Sequence, residues 1–344
     1  MRDYLENSVE ETMPKLDQSS VDGDISHASA DNEANIETVS QPEQSQPAST
    51  PTPTVPWSQF LRGASAQDVK ERFGKEVDEL LTQFGLTDVC CLALLEPIDA
   101  IDTYDLDKIY GALVQTNPAH AKDVVLFLLS SGGAGEPAYQ ISKICKSFAK
   151  SSFKVVVPRH AKSAATLIAI GADEIHLGSL GQLGPIDPQI GGLPALGVSR
   201  ALRTIASVAE QYPRSAEMFA RYLRLALTVE QIGYCDRISE SAVQYAERLL
   251  STKPGLAPRA LTIAKELVHE YKDHAFVIDL DEAQKHLGSD WIKTGTNELR
   301  AAEALYSLFE TVNLFYRLSQ SKRIIVTGSA ASAASVLVMD IKTT

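Results

Sequence analysis

The sequence predicts an α/β protein: a mostly parallel sheet with covering helices and a helical C-terminal part. Three observations carry this. The runs VCCLALL (Val89–Leu95), VVLFLL (Val124–Leu129) and FKVVV (Phe153–Val157) are apolar almost throughout rather than alternating, as in strands buried on both faces. Segments of helical periodicity separate them, and strands that alternate with helices pair in parallel through right-handed crossovers. Beyond Pro194 the chain reads as helix through about Tyr271.

In chain order, residues 17–56 are rich in Ser, Asp, Glu, Gln, Pro and Thr and end in QPEQSQPASTPTPTVP. Such a composition buries too little apolar surface to offset chain entropy, so residues 1–56 are expected to be a disordered tail. The pattern changes at Trp57. Ala66–Phe84 (AQDVKERFGKEVDELLTQF) has apolar residues at helical spacing, and the first strand follows at Val89–Leu95. Tyr104–Val114 is helical and Val124–Leu129 is the second strand. A glycine turn, SSGGAGE, leads into a helix over Pro137–Lys150. Phe153–Val157 is the third strand, Ala164–Ile170 opens another helix, and Glu174–Leu177 is a short fourth strand. After the long helical region, FVIDL (Phe276–Leu280) is strand-like, helices resume to about Leu318, and RIIVTGSAASAASVLV closes with one more strand and a small-residue segment. The expected division is a tail over 1–56, an α/β domain over 57–295 and a helical extension over 296–344. There are no internal repeats.

The formal net charge of the 344 residues is -12, and its location matters. Residues 1–50 hold eleven Asp or Glu against Arg2 and Lys15, leaving -9 there and -3 on the rest. A nearly neutral body argues against a nucleic-acid partner, while the acidic tail offers a possible docking arm for a partner protein. Cys90, Cys91, Cys145 and Cys235 have no metal-type spacing and read as reduced, buried thiols. The N-terminus lacks a signal-peptide pattern, and no apolar run is long enough for a transmembrane segment, so a cytoplasmic location is expected.

Sites in such sheets form at the carboxyl ends of strands, and two ends stand out. The first is SSGGAG (Ser130–Gly135), whose glycines can present bare backbone N–H groups. The second is AKSAA (Ala161–Ala165), where Ser163 lies at the mouth of a helix. That serine is either a helix N-cap or a nucleophile whose attacked carbonyl is held by the glycine backbone. No His pair has HExxH spacing, SSGGAGE lacks the GK[ST] ending of a phosphate loop, and GADEIHLGSLGQLG lacks dinucleotide-binding glycine spacing. No metal or other cofactor is expected.

The order strand, SSGG, helix, strand, KSAATLIAIGADEI, then LGSLGQLGPIDPQIG (Leu177–Gly191) resembles the serine dehydrogenase proteinase family, a Clp-protease/crotonase-like group related to signal peptide peptidase A. The resemblance covers roughly Val89 to Ile292. It implies a Clp/crotonase-like fold and a serine peptidase whose substrate is a peptide or protein. Ser163 falls on the nucleophile position, Gly132 and Gly133 on the oxyanion-hole glycines, and the Ala164 N–H is a second donor. His274, in HEYKDHAFVIDLDEAQKHLG, takes the place of the family's histidine, with Asp187 or Asp273 to orient it. Asp187 falls near where Clp-type enzymes carry their histidine, so the Clp triad as such is absent. A Ser–Lys dyad is the other option for the base, with Lys253 as the lysine, since Lys162 adjoins the serine and points away. Relatives of this fold assemble, so a homo-oligomer is expected. An acyl-CoA thioester-binding enzyme and a catalytically silent oligomeric scaffold are the competing functions.

Overall fold

The computed structural model describes residues 55–190 and 193–338. The described residues belong to one compact unit. The expected tail, 1–56, lies almost wholly outside the described residues. No helix among them is long and apolar enough to cross a membrane.

Two helices come first, α1 (Trp57–Phe60) and α2 (Ala66–Gln83). Ser65 caps α2, its hydroxyl accepting from the Asp68 N–H while the Asp68 carboxylate accepts from the Ser65 N–H. Then β1 (Cys90–Glu96), α3 (Thr103–Thr116), β2 (Val124–Ser130), α4 (Gly135–Phe148) and β3 (Phe153–Val157) alternate as the apolar runs predict. A two-residue strand, β4 (His160–Ala161), precedes α5 (Ala164–Ile170) and β5 (Glu174–Leu177). Short strands β6 (Gln182–Leu183), β7 (Gln189–Ile190) and β8 (Leu193–Pro194) lead into the helices α6 (Ala195–Gln211), α7 (Ala216–Ala226), α8 (Val229–Leu250), α9 (Ala260–Lys265) and α10 (Leu280–Leu287). After β9 (Ile292–Lys293) and α11 (Asn297–Gln320), the described chain ends in β10 (Lys322–Ser329) and β11 (Ala334–Val338).

The sheet runs β11-β10-β1-β2-β3-β5-β9, with β4 on the end of β2 and β6 on β4. Strands β1, β2, β3, β5 and β9 pair in parallel; β10 lies antiparallel to β1, and β11 antiparallel to β10. Alternate side chains of each strand enter different cores. Leu92, Leu94, Leu126, Leu128, Val155 and Val157 pack under α3, α4, α5 and α8. Ala93, Leu95, Val125, Phe127, Leu129 and Val156 pack against α2 and α11, where Phe309, Val312 and Tyr316 are fully buried. The result is helix, sheet, helix.

Two expectations change. The segment 296–344 is not a helical extension throughout: α11 is followed by a β hairpin that extends the sheet past β1. GSAASAAS had suggested only small residues, but it spans the turn between two strands. FVIDL forms no strand; a single antiparallel bridge, Leu183 to Ile278, ties it to β6. Phe276 and Val277 remain about half exposed, so the apolar run has no second face to bury.

Candidate active site

Ser163 stands between β4 and α5. Ala161 pairs with Ser130 at the end of β2, and the Lys162 N–H donates to the Ser130 carbonyl at 3.0 Å, so the serine is carried to the carboxyl edge of the sheet. It occupies the N-cap position of α5, yet its side chain makes no capping hydrogen bond. Its backbone sits at φ 51°, ψ −119°, a region that Cβ strongly disfavours. Such conformations persist only where neighbouring contacts over-determine them. Here Thr166, fully buried, donates to the Ala161 carbonyl at 2.6 Å and accepts from the Gly184 N–H at 3.0 Å. The capping role open to a serine here is therefore not the one it performs.

Gly132 lies directly against it, and Gly133 lines the same cleft. A Cβ on Gly132 would fall 2.6 Å from the Ser163 Cβ and 3.2 Å from the Ala164 nitrogen. The Gly132 N–H already donates to the Ser130 hydroxyl at 3.1 Å. Gly133 forms a parallel bridge with Ile101: the Ile101 N–H donates to the Gly132 carbonyl at 2.9 Å, and the Ala134 N–H to the Ile101 carbonyl at 2.8 Å. In that pattern the central residue's own N–H points away from its partner strand. Among the described residues nothing accepts from the Gly133 N–H or the Ala164 N–H. The Gly133 and Ala164 N–H groups are thus free, whereas that of Gly132 is engaged by Ser130.

His274 and Asp187 come together from 87 residues apart, Nδ1 to Oδ1 at 2.8 Å. A carboxylate only accepts, so Nδ1 carries the proton and Nε2 has the free lone pair. Asp187 is 5% exposed and also accepts from the Gln189 side chain at 2.8 Å. Asp273 instead accepts from the Ala275 N–H in a local turn. Lys162 closes the arrangement from beneath, its ammonium donating to the Leu183 and Phe276 carbonyls at 3.0 Å each. It clamps the loops that carry Asp187 and His274, and burial lowers its pKa.

Ser163, Ala164, Gly132, Gly133 and His274 line one cleft of about 700 Å³. Its far wall is Tyr234, Ile238, Ala242 and Tyr245 of α8, with Leu167 and Ile186. Sequence reasoning missed this wall, because an amphipathic helix does not reveal whether its apolar stripe meets core or cleft. Thr166 and Ser130 were also missed, although both lie within the quoted motifs.

Lys253 lies elsewhere. It is 3% exposed, stands 5.7 Å over the Trp291 ring, and its charge environment is Asp173 and Lys146, at the opposite end of α5 from Ser163. It does not line the cleft. Burial pulls its pKa down to about 8. The unfolded chain therefore holds a proton that the folded chain releases between about pH 8 and 10.5, and stability rises across that window by up to about 3 kcal/mol. Urea melts of Lys253→Met are expected to lack this rise, with Ser163 reactivity unchanged. A slowed Ser163 would restore Lys253 as a base.

Of the other described histidines, His176, 1% exposed, bonds Thr296 and Glu174, and burial lowers the pKa of His160. Among the described residues no group of three His, Cys, Asp or Glu side chains is placed to hold a metal.

The family model of the ClpP-like SDH-type serine proteinases matches residues 94–211, from within β1 to the end of α6. The resemblance carried by KSAATLIAIGADEI and GPIDPQI stands over that segment, which includes Gly132, Gly133, Ser163 and Asp187 but not His274. Two uncharacterized proteins of Methanocaldococcus jannaschii are 30% identical over 189 residues and 28% over 184. These alignments cover 55% and 54% of this chain, and 58% and 56% of those proteins; the chain spans just over half the length of each. Among solved structures it is similar to the 1510-N membrane-bound stomatin-specific protease at 15% identity (TM-score 0.40, 66% of this chain and 85% of that one). It is also similar to ClpP1 from Listeria monocytogenes at 18% identity (TM-score 0.37, 64% of this chain and 99% of that one).

Proposed function

We propose that this chain, whose residues 94–211 match the ClpP-like SDH-type serine proteinases, is a serine peptidase with Ser163, His274 and Asp187 as its catalytic groups. The observation that carries the reading is the strained, uncapped Ser163 set against two unpaired backbone donors, in a cleft that also receives His274.

His274 Nε2 takes the Ser163 proton as Oγ attacks the carbonyl carbon of a peptide. The new Oγ–C bond pushes the carbonyl electrons onto oxygen, and the Gly133 and Ala164 N–H groups stabilise that oxyanion. Collapse breaks the C–N bond, and His274 returns the proton to the departing amine. Water then adds to the acyl-enzyme by the same route, releasing the acid and restoring Ser163. Asp187 holds the imidazole in the required tautomer and supports its transient charge. The apolar wall from α8 offers a place for an apolar side chain beside the scissile bond. A homo-oligomer and a docking role for the acidic tail are carried forward as parts of this proposal.

A fluorophosphonate reagent tests it. Intact-mass analysis is expected to show one adduct per chain, mapped to Ser163 and absent from Ser163→Ala. A folded protein that takes no adduct, or takes it elsewhere, removes Ser163 as the nucleophile.

A further inference from the structure

At the carboxyl end of β1, two carboxyl groups are buried against each other. Glu96 is 3% exposed and Asp105, on α3, is 2% exposed. They lie within hydrogen-bond reach of one another. The Thr327 hydroxyl, on β10, donates to Glu96 Oε1 at 2.5 Å. Asp105 Oδ2 accepts the Asp102 N–H at 3.0 Å. The other charged groups facing the pair are Asp99 and Asp102. Asp99 is engaged by Arg323 at 2.6 Å. Among the described residues no lysine, arginine or histidine pairs with Glu96 or Asp105. Two bare carboxylates in such a place repel strongly, and a shared proton converts the repulsion into a hydrogen bond.

The residues between them, 97–102, form the loop that holds Gly133. Ile101 makes both hydrogen bonds of the Gly133 bridge, and the Pro97 carbonyl accepts the Ser131 hydroxyl at 2.8 Å. Glu96 begins this loop and Asp105 secures its end through the Asp102 N–H. Glu96 also stands opposite Ser130 in the β1–β2 register, whose hydroxyl fixes Gly132.

We infer that Glu96 and Asp105 are positioning residues: sharing one proton, they hold the 97–102 loop against Gly133 and so aim its N–H into the cleft, and losing that proton loosens the hold. This rests on the peptidase reading for its purpose, since Gly133 is there the oxyanion donor. Burial raises both carboxyls; the charge of Asp105 and its hydrogen bond push Glu96 further, up to about 7 from 4.5, while the hydrogen bond with Glu96 works against the rise of Asp105. A raised carboxyl keeps its proton in the fold after the opened loop would lose it. The hold is therefore strongest below about pH 4.5, weakens as pH rises to about 7, and is constant above that.

Hydrogen exchange of the Ile101 and Ala134 amides tests the pair without using Ser163 chemistry. In native protein, protection corrected for intrinsic exchange is expected to fall by about 10²-fold between pH 5 and 7.5, following the proton released on loop opening. Glu96→Gln keeps a hydrogen-bonding amide without the charge, and its protection is expected to change by less than about threefold over the same range. Asp105→Asn provides the same comparison should the first variant fail to fold. A Glu96→Gln or Asp105→Asn protein whose protection falls as the native one does overturns the inference. Fluorophosphonate labelling is read in parallel: a variant with pH-independent protection should also lose the matching part of the native pH profile, and an unchanged profile overturns the positioning role. If no protein labels at any pH, the peptidase reading fails, and the exchange result alone decides what the pair does.

Discussion

His274→Ala is expected to slow peptide hydrolysis by about 10⁴- to 10⁶-fold, because in the proposed mechanism serine, base and orienting acid act as a unit. The reason is local. Among the described residues His274 is the one histidine or lysine that lines the cleft, and the two carboxylates there are engaged elsewhere, Asp99 by Arg323 and Glu136 by Gln140. Lys162, although adjacent in sequence, spends its ammonium on the Leu183 and Phe276 carbonyls. Asp187→Asn should fall short of this, at about 10⁴-fold, since the imidazole remains but its tautomer is no longer fixed. His274 is 28% exposed but bonds the buried Asp187, so its loss should also lower Tm, and the rates are compared at a temperature where the variant is folded. Steady-state hydrolysis of fluorogenic peptides and the rate of fluorophosphonate labelling measure the effect together. Native-rate labelling of Ser163 in His274→Ala would remove the histidine from the mechanism.

Gly133→Ala is the second large effect, and it acts on fold and site at once. A Cβ there would lie 2.2 Å from the Ile101 nitrogen, 2.4 Å from its oxygen and 2.8 Å from its Cα. These are backbone atoms that cannot rotate aside, so the bridge must break. Gly132→Ala meets the Ser163 Cβ at 2.6 Å and the Lys162 oxygen at 2.8 Å, and its backbone is at φ 109°, where Cβ is also disfavoured. Either change is expected to cost about 3–5 kcal/mol of stability. Where the Gly133→Ala protein stays folded, displacing the N–H that the proposed mechanism uses on the oxyanion should lower acylation by about 10²- to 10³-fold. Gly133→Ala with native Tm and native labelling would mean that the 131–135 segment does not stand where Ile101 holds it.

Much of this was legible in the chain because the signals are local. Runs that are apolar almost throughout gave β1, β2 and β3, and the short EIHL segment β5, each within a residue or so. The pairing of SSGG and KSAA at successive strand ends marked the two sides of the cleft. The failures are equally physical. FVIDL has strand composition, but strand formation needs a free sheet edge, and only a one-residue bridge was available. The hairpin β10–β11 was obscured by alanine and serine, whose weak strand preference is overridden by pairing with β1. Lys253 had the chemistry of a base without the location of one, and location is a non-local property.

By itself, then, the sequence determined the layered α/β architecture and the glycine and serine that face each other, since both follow from burial pattern and from the backbone freedom of individual residues. The tertiary structure decided which histidine shares a cleft with that serine. His274 and Asp187 meet across 87 residues because the chain after α9 returns to β6, where the Leu183–Ile278 bridge and the Lys162 ammonium fix the two loops. It alone also decided that Glu96 and Asp105 share one buried corner beside the loop that bridges to Gly133. Proton affinities and hydrogen-bond partners depend on distance in space, and no spacing along a chain encodes that.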